Sequence, residues 1–493
     1  MPLGSFAAKD NFTMPTEFAS QIPAIAFQVP DLDGIARLEL RAQDNTPLAC
    51  VESVVNNGKT TSQPAVSYVT AAIAAAALAL SAISAVGAAG AGGSTAGVSP
   101  NFGDVMFWFQ SVATNGMLSV DYPPVYRSFV KNFAWSTGLV QWTDVQKGID
   151  KFRDVTGGNT TQMSVEFLMN ATLVYSNSGN SSVKNEKRSL EVNLENYLYP
   201  RDGTNQNGTN QTTTEDQSQI MHYVDGIEAY VEQLKIPSAN TFMTVLLMFA
   251  ILIAAIAVLI LLFKVILEVW ALFASFPKSL TGFRKRYWGF IAGTIVRIVG
   301  NPVLTNYSQR CCANVSTQIL ILYGTWVLYC LYQFTKGDSW AAHLLAALTL
   351  LIFTGILGFF AVKIFLVARR VKKLEGNPDG LFLNKPYMRR YGLFYDQFKS
   401  NFWWVFLPLI FYAFMKAAFI ALGDGHGLIQ AAGQLACELM LLILLLWSRP
   451  FNTRAGNVLN IVISVVRVLS VICLLVFVHE LGIAADTKTV NTP

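Results

Sequence analysis

Long apolar runs alternate along this chain with polar, sugar-accepting stretches on one flank and basic stretches on the other. The clearest run, Phe242 to Phe263, holds twenty-two residues without a charge. As a helix rising about 1.5 Å per residue it crosses a hydrocarbon layer of about 30 Å. Before it lies a polar region with five Asn-Xaa-Ser/Thr sequons, at Asn159, Asn170, Asn180, Asn207 and Asn210, and a further sequon stands at Asn11. After it come Lys278, Arg284, Lys285 and Arg286. Sequons are glycosylated only in the lumen and basic residues near a span are held in the cytosol, so the two flanks orient the segment.

The same rule orders the other runs. Ala65 to Val86 is Ala-rich, and its small side chains suit close helix packing more than lipid contact. Val105 to Val120, which carries Gln110 and Asn115, is needed as a second crossing so that Asn11 and the later sequons share one side. From Pro123 to Asn240 runs a lumenal loop with a low-complexity patch, Gly203 to Thr214, and a dibasic pair, Lys187-Arg188. Beyond Phe263 follow Tyr287 to Ile298, Ile319 to Phe334, Ala341 to Val367, Phe402 to Leu422, Leu428 to Trp447 and Asn457 to Val478. The connector Arg369 to Lys399 carries eight basic residues and belongs in the cytosol. It arrives there only if Tyr287 to Ile298 and Ile319 to Phe334 make one crossing between them. Val299 to Gln318, whose turn-forming and polar residues lipid does not tolerate, then reads as an insertion. Eight crossings result.

Residues 1 to 64 differ in kind. Ala36 to Leu40 alternates as a strand does and Asn57-Gly58 has turn chemistry, but the segment is too short for a whole sandwich. Its start shows no charged and apolar leader, so the chain is expected to begin inside a larger lumenal domain. The predicted fold class is an all-α polytopic membrane protein of about eight helices, preceded by the remnant of a β-sandwich domain. The predicted divisions are 1–64, the first two membrane helices at 65–122, the glycosylated loop at 123–240 and a membrane domain at 241–493.

Composition sharpens this picture. At 53% hydrophobic and 14% charged, the chain is too apolar for a soluble protein of 493 residues. Its net charge of +5 is small and gathered in the basic loops, which excludes a nucleic-acid stripe. Cys330, Cys437 and Cys473 fall in apolar runs and read as small core residues, Cys311 and Cys312 are adjacent, and Cys50 stands alone in the lumenal part. No phosphate loop, HExxH, CxxC or nucleophile elbow is present, and four histidines leave few general bases, so the chain is not read as an enzyme.

Ionisable groups inside spans carry the candidate chemistry, because each costs roughly 3 kcal/mol or more to insert. Glu438 lies nine residues, about 13 Å, from the cytosolic end of its helix at Trp447, and Arg467 about ten residues, about 15 Å, from Asn457. Those depths match for an ion pair, and Lys416 could reach the same carboxylate or snorkel to the surface. One account is a structural salt bridge fixing helix register; the other is a hydrated path for an ion or anionic solute. Lys264 and Glu268, spaced i, i+4, read as an interfacial pair, and Gln110 and Asn115 as interhelical hydrogen-bond groups. His343 and His426 read as surface residues, and Trp403, Trp404, Trp447, Tyr287 and Trp288 as interfacial anchors.

Several ordered motifs resemble one family. Gln21-Ile22-Pro23, Val29-Pro30-Asp31-Leu32-Asp33 and Asn57-Gly58-Lys59-Thr60 resemble the end of the MD-2-like (ML-like) lumenal domain of the fungal flavin carrier, TRP-like family. Phe109-Gln110-Ser111, Gly116-Met117, Pro123-Pro124 and Asn132-Phe133-Ala134-Trp135-Ser136 are similar to its second span and following loop. Gln333-Phe334-Thr335, Asp338-Ser339, the run Tyr391 to Phe398, Lys416, Glu438 and Arg449-Pro450 resemble its membrane region. The likeness covers nearly the whole chain. It departs in the interruption at 299–318, in the absence of most of the ML-like domain, and in a family pattern that continues past Pro493 into a last helix. The resemblance thus implies a chain shortened at both ends. It also implies a membrane transport protein tied to calcium homeostasis, flavin adenine dinucleotide (FAD) entry into the endoplasmic reticulum and cell-wall maintenance. Calcium is the expected permeant ion or FAD the expected solute, with no bound cofactor. Membrane lipids, a lipid or sterol ligand of the ML-like domain and a homo-oligomer are the implied partners. The implied location is the secretory pathway: endoplasmic reticulum, Golgi, vacuole or plasma membrane. A protein that binds or scrambles lipid and a scaffold for cell-wall enzymes are the alternatives.

The topology makes a direct prediction. In sealed microsomes Asn159→Gln removes one glycan, read as a faster-migrating band, while protease added outside cleaves near Arg389. Recovery of both sites in one compartment would overturn the orientation.

Overall fold

A computed structural model describes residues 27–91 apart from 32 and 42–46, 102–175 apart from 162, and 220–262 apart from 253, 256, 257 and 259–261. It further describes 315–481 apart from 377, 384–390, 392, 393, 396, 479 and 480. The chain divides into two units, one formed by Met1–Pro64 with Tyr122–Asn132 and the other by Ala65–Asp121 with Phe133–Pro493.

In the first unit the alternating segment becomes strand β1 (Asp33–Arg41), paired antiparallel with β2 (Pro47–Asn56) in a register that sets Glu39 opposite Cys50. Gly58 follows at φ +71°, the left-handed conformation that a turn here requires and glycine adopts without strain. Asp31 then accepts from both the amide and the hydroxyl of Thr61 at 2.6 Å, and Asn132 donates to the Thr61 carbonyl at 2.9 Å. In this unit the described strands form a two-stranded antiparallel sheet.

The second unit is helical. Helix α1 (Pro64–Ala91) buries Thr70 and Ala74 but leaves most of its side chains through Leu80 outward among the described residues, contrary to the close packing expected of its alanines. Helix α2 (Phe102–Asn115) stops five residues before the predicted limit at Val120, where turn bonds from Gly116 to Ala113 and from Met117 to Thr114 end it. Within the predicted loop lie α3 (Pro124–Val130, part of the first unit), α4 (Thr143–Val155) and α5 (Val165–Asn170). There follow the parallel strands β3 (Ala171–Tyr175) and β4 (Ile220–Val224), then α6 (Gly226–Gln233). The region between the strands, with Lys187-Arg188 and the low-complexity patch, lies outside the described residues.

Helix α7 (Ser238–Leu252) leaves α6 at a bend of 88°, so the apolar run opening at Phe242 departs from a helix lying across it. After it come α8 (Val315–Lys336), α9 (Trp340–Glu375), the short α10 (Gly380–Leu383), α11 (Phe406–Leu422), α12 (Gly427–Ser448) and α13 (Arg454–Leu475). Helix α8 begins at Val315, inside the predicted insertion 299–318, whose earlier residues lie outside the described set. Ser339 caps α9 at its start, Gly376 in the left-handed conformation closes it, and its 36 residues carry Arg369, Arg370, Lys372 and Lys373 past the apolar stretch. Helix α8 packs on α11, α9 and α2, while α12 packs on α13 and α11.

Among the described residues four segments are long and apolar enough to cross a membrane, namely α9, Ser400–Leu422, α12 and α13, or five if α6 with α7 forms one bent span. The count of eight drawn from sequence is not supported by these residues. Helix α2 has 14 residues, about 21 Å, and α8 lies inside the bundle with buried Thr325 and Gln333 among its apolar residues. The described apolar part of α1, Pro64–Leu80, is short. The predicted crossing at Tyr287 lies outside the described residues.

Each end of the bundle is tied by a different chemistry. At the sequon-bearing end Arg153 of α4 is fully buried and pairs with Asp338 between α8 and α9. It also donates to Asn240 at 2.7 Å and to the Met163 carbonyl at 2.7 Å. The Asn159 amide reaches Asp338 at 2.8 Å, which sets this sequon beside the α8–α9 turn. At the basic end the motif residues Tyr391, Tyr395 and Phe398 join Ile364, Ala368, Val405 and Phe406 in a hydrophobic cluster, and Lys399 donates from its backbone to Pro450 at 2.7 Å.

Removing Arg153 leaves the half-buried carboxylates of Asp338 and Asp150 without their guanidinium partner. Arg153→Met should therefore cost about 3–5 kcal/mol, read as a lowered thermal midpoint in detergent, whereas Lys147→Met on the exposed face of the same helix should change stability by less than about 0.5 kcal/mol.

Candidate functional site

Three charged side chains predicted at matching depths meet in the bundle. Glu438 projects from α12, where Gln430, Ala431, Gln434, Cys437, Glu438 and Leu441 share the buried face at helical spacing. Its Oε1 accepts from Lys416 of α11 at 2.9 Å and from the Tyr412 hydroxyl at 2.8 Å. Its Oε2 accepts from Arg467 of α13 through Nε at 3.0 Å and again through Nη2. Glu438 is fully buried, and Arg467 and Lys416 are nearly so. Arg467 also donates to the Tyr412 hydroxyl at 2.5 Å. Two cations therefore share one carboxylate whose oxygens are both satisfied, the condition under which a buried ionic cluster is tolerated.

Helix α2 completes the site from the other side. Phe107 presents its ring to the Arg467 guanidinium at 4.4 Å, a cation–π contact strengthened by the dry surroundings. Ser111, one turn on, accepts from Lys416 at 3.4 Å. Lys416 thus turns inward, which excludes the snorkelling conformation considered from sequence. Gln434 donates to the Lys416 carbonyl at 2.9 Å, and Gln430 to the Ile420 carbonyl at 2.7 Å. Each polar group on this face of α12 ties α11 at a different level.

Two cavities flank the cluster. One of about 40 Å³ lies towards the sequon-bearing end among Gln110, Ser111, Thr114, Thr325 and Lys416. The other, of about 80 Å³, lies towards the basic end among Asp104, Gln397, Asn460, Ser464 and Arg467. Phe107 lines both. Each has room for water, and neither approaches the roughly 300 Å³ of a small-molecule pocket.

Other predicted residues are placed apart. Gln110 donates to the Ser136 carbonyl at 3.0 Å, and Asn115 is buried at the end of α2. Asn159 is exposed, with Oδ1 accepting from the Thr161 hydroxyl at 2.6 Å. Asn170 ends α5, while Asn11, Asn180, Asn207, Asn210, Lys264 and Glu268 lie outside the described residues. His426 is exposed and His343 half-buried against the Ser339 carbonyl. Cys330 and Cys437 are core residues, but Cys473 is exposed on α13, a correction explained by its position off the Val471–Leu474 buried face. Tyr412 and Phe107 went unnoticed in the sequence and Ser111 figured only in a family motif, although Tyr412 and Lys416, and Phe107 and Ser111, are both spaced i, i+4 and so share helix faces.

The chain matches the family described as transient receptor potential (TRP) ion channel over residues 66–308 and 302–492, and the ML-like domain over residues 1–61. The junction of the two TRP matches falls inside the predicted insertion. Flavin carrier protein 2 of Saccharomyces cerevisiae is 27% identical over 94% of this chain and 56% of its own length. The TRP-like ion channel protein flc1 of Cryptococcus neoformans var. grubii is 26% identical over 99% and 62%. The TRP-like ion channel pkd2 of Schizosaccharomyces pombe is 23% identical over 98% and 63%. The chain thus spans about three-fifths of the length of these curated relatives. No solved structure matches it.

The cluster predicts an order of stabilities. Glu438→Ala leaves two buried cations without a counter-charge and should cost about 3–5 kcal/mol. Lys416→Met keeps the Arg467 pair and should cost clearly less. Thermal midpoints in detergent check the ranking, and equal midpoints for the two variants would overturn it.

Proposed function

This chain belongs to the transient receptor potential (TRP) ion channel family, and on that premise we propose that it carries a transmembrane path for a cation, closed at the Lys416–Glu438–Arg467 cluster. The observation that carries this reading is the pair of cavities on opposite sides of one buried ionic cluster, both lined by Phe107, whose ring lies against Arg467. A structural salt bridge alone needs no space beside it, because a dry interhelical contact is normally filled to native density. Parting α11 from α13 at the cluster exposes a single carboxylate between the two spaces, a group that a cation can visit. Calcium is the proposed permeant ion. The proposed setting is a secretory-pathway membrane, with lipid around the bundle and a lipid or sterol ligand for the ML-like segment, and the proposed role is transport, not catalysis.

A second reading rests on a different feature of the same site. Lys416 and Arg467 outnumber Glu438, so the cluster carries an excess cation that favours an anionic solute. Flavin adenine dinucleotide is such a solute, and one relative is named a flavin carrier. The present cavities are far smaller than a dinucleotide, so this reading demands a large opening. A lipid-scrambling role would instead need a polar furrow open to the bilayer.

Vesicles containing the purified protein, loaded and assayed in parallel for calcium, flavin nucleotide and fluorescent-lipid movement, separate these readings. Calcium flux that rises several-fold in Phe107→Ala and changes in Glu438→Gln is the expected result. Calcium flux unaltered by both substitutions in stably folded protein would remove the cluster from the path.

A further inference from the structure

Apart from the intramembrane cluster, a second group of ionisable side chains gathers where α6 meets the bundle. Glu228 and Glu232 are spaced i, i+4 on α6, and His222 of β4 packs its ring edge-on to Phe167 above them. The Nε2 of His222 stands 2.9 Å from Glu232 Oε2 and 3.7 Å from Glu228 Oε1. The three side chains each bring one ligand atom within 4.8 Å of the others. Lys336 of α8 faces the opposite oxygen of Glu228, Oε2, at 3.9 Å, so that Oε1 is left turned towards the imidazole.

Unsatisfied polarity points to a missing occupant. Glu232 is 3% exposed, and its Oε2 accepts no hydrogen bond from any described residue, although the imidazole nitrogen is close by. Tyr332 of α8, 1% exposed, has a hydroxyl without a hydrogen-bond partner among the described residues and within electrostatic range of Asp424, Glu228 and Glu232. Asp424 Oδ2, buried beside Lys336, likewise accepts none. Buried polar atoms are ordinarily paired, and a concentration of exceptions in one place marks an absent water or ion.

We infer that His222, Glu228 and Glu232 form a binding site for a divalent cation of the zinc class. One imidazole and two carboxylates are a borderline donor set that suits zinc, whereas calcium takes six to eight oxygen ligands and little nitrogen. Ligand atoms held about 2.0–2.2 Å from a tetrahedral zinc stand roughly 3.4 Å apart, close to the separations found between His222 and the two carboxylates. The fourth position is left to water, and Lys336 orients the Glu228 carboxylate from outside. Because β4, α6 and α8 meet here, a bound ion fastens the strand and surface helix to the bundle. The site shares no residue with the charge cluster and does not depend on what the bundle transports.

The full chain, purified with a tag free of histidine and stripped with chelator, tests this by calorimetric titration with zinc and with calcium, and by the visible spectrum after cobalt loading. About one zinc per chain is expected, bound more tightly than calcium. Glu232→Gln and His222→Ala should weaken it by about 10-fold or more, with loss of the cobalt bands, while His426→Ala binds as the parent does. Thermal midpoints recorded in chelator identify any variant that has lost its fold, and Glu232→Gln, which keeps the side-chain shape, decides if His222→Ala fails. No zinc uptake, calcium bound as tightly as zinc, or unchanged zinc affinity in folded Glu232→Gln would each overturn the site.

Discussion

One carboxylate has to be neutralised inside the bundle, and much of the local packing follows from how that is done. Glu438 cannot stay ionised in a dry interior without donors on both oxygens, and its own helix offers none. Lys416 and Tyr412 must therefore come from α11, Arg467 from α13, and the face of α2 must offer Ser111 to the ammonium and Phe107 to the guanidinium. A slip of any helix by one turn, about 5.4 Å, would break several of these contacts together. The cluster consequently specifies register in a setting where apolar side chains, free to slide past one another, specify little.

The ends of the bundle solve a different problem. Connections there are wet, so single ion pairs contribute little unless they are buried. At the sequon-bearing end Arg153 is buried and contacts several backbone and side-chain acceptors at once, fixing α4, the start of α7 and the α8–α9 turn together. At the basic end no comparable charge is enclosed among the described residues. Aromatic side chains from the α10 to α11 connector fill the space instead, and backbone bonds from Lys399 to Pro450 and from Asn452 to Gln397 join the connector to the α12–α13 turn. A motif that reads in the sequence as a run of tyrosines and phenylalanines is, in the fold, the seat for three helix ends.

Much of this is legible in the sequence. Apolar length located α11, α12, α13 and the start of α9 to within a few residues, though α9 runs on past its predicted end at Val367 to Glu375, because a lipid-exposed helix must be apolar around most of its circumference and announces itself by composition. Equal depth along antiparallel helices paired Glu438 with Arg467. The eight-crossing count loses support where that logic stops applying. Helix α8 is enclosed by α2, α9 and α11, so it tolerates Thr325 and Gln333, and its hydropathy no longer measures its place. The loop from Pro123 to Asn240 is rich in Asn, Thr, Gly and Ser and reads as a lumenal loop, yet Thr143–Val155 within it is an amphipathic helix with a buried arginine on its inner face.

The sequence by itself determined the membrane class, the family, the long apolar helices and the three charges that had to find one another, since each follows from composition or from spacing along a single segment. Only the tertiary structure decided that Tyr412, Phe107 and Ser111 join those charges and that two small cavities lie to either side. It alone brought His222 to Glu228 and Glu232. These are relations between segments far apart in the chain, and helical or strand periodicity states which face a residue occupies without stating which other face it will meet.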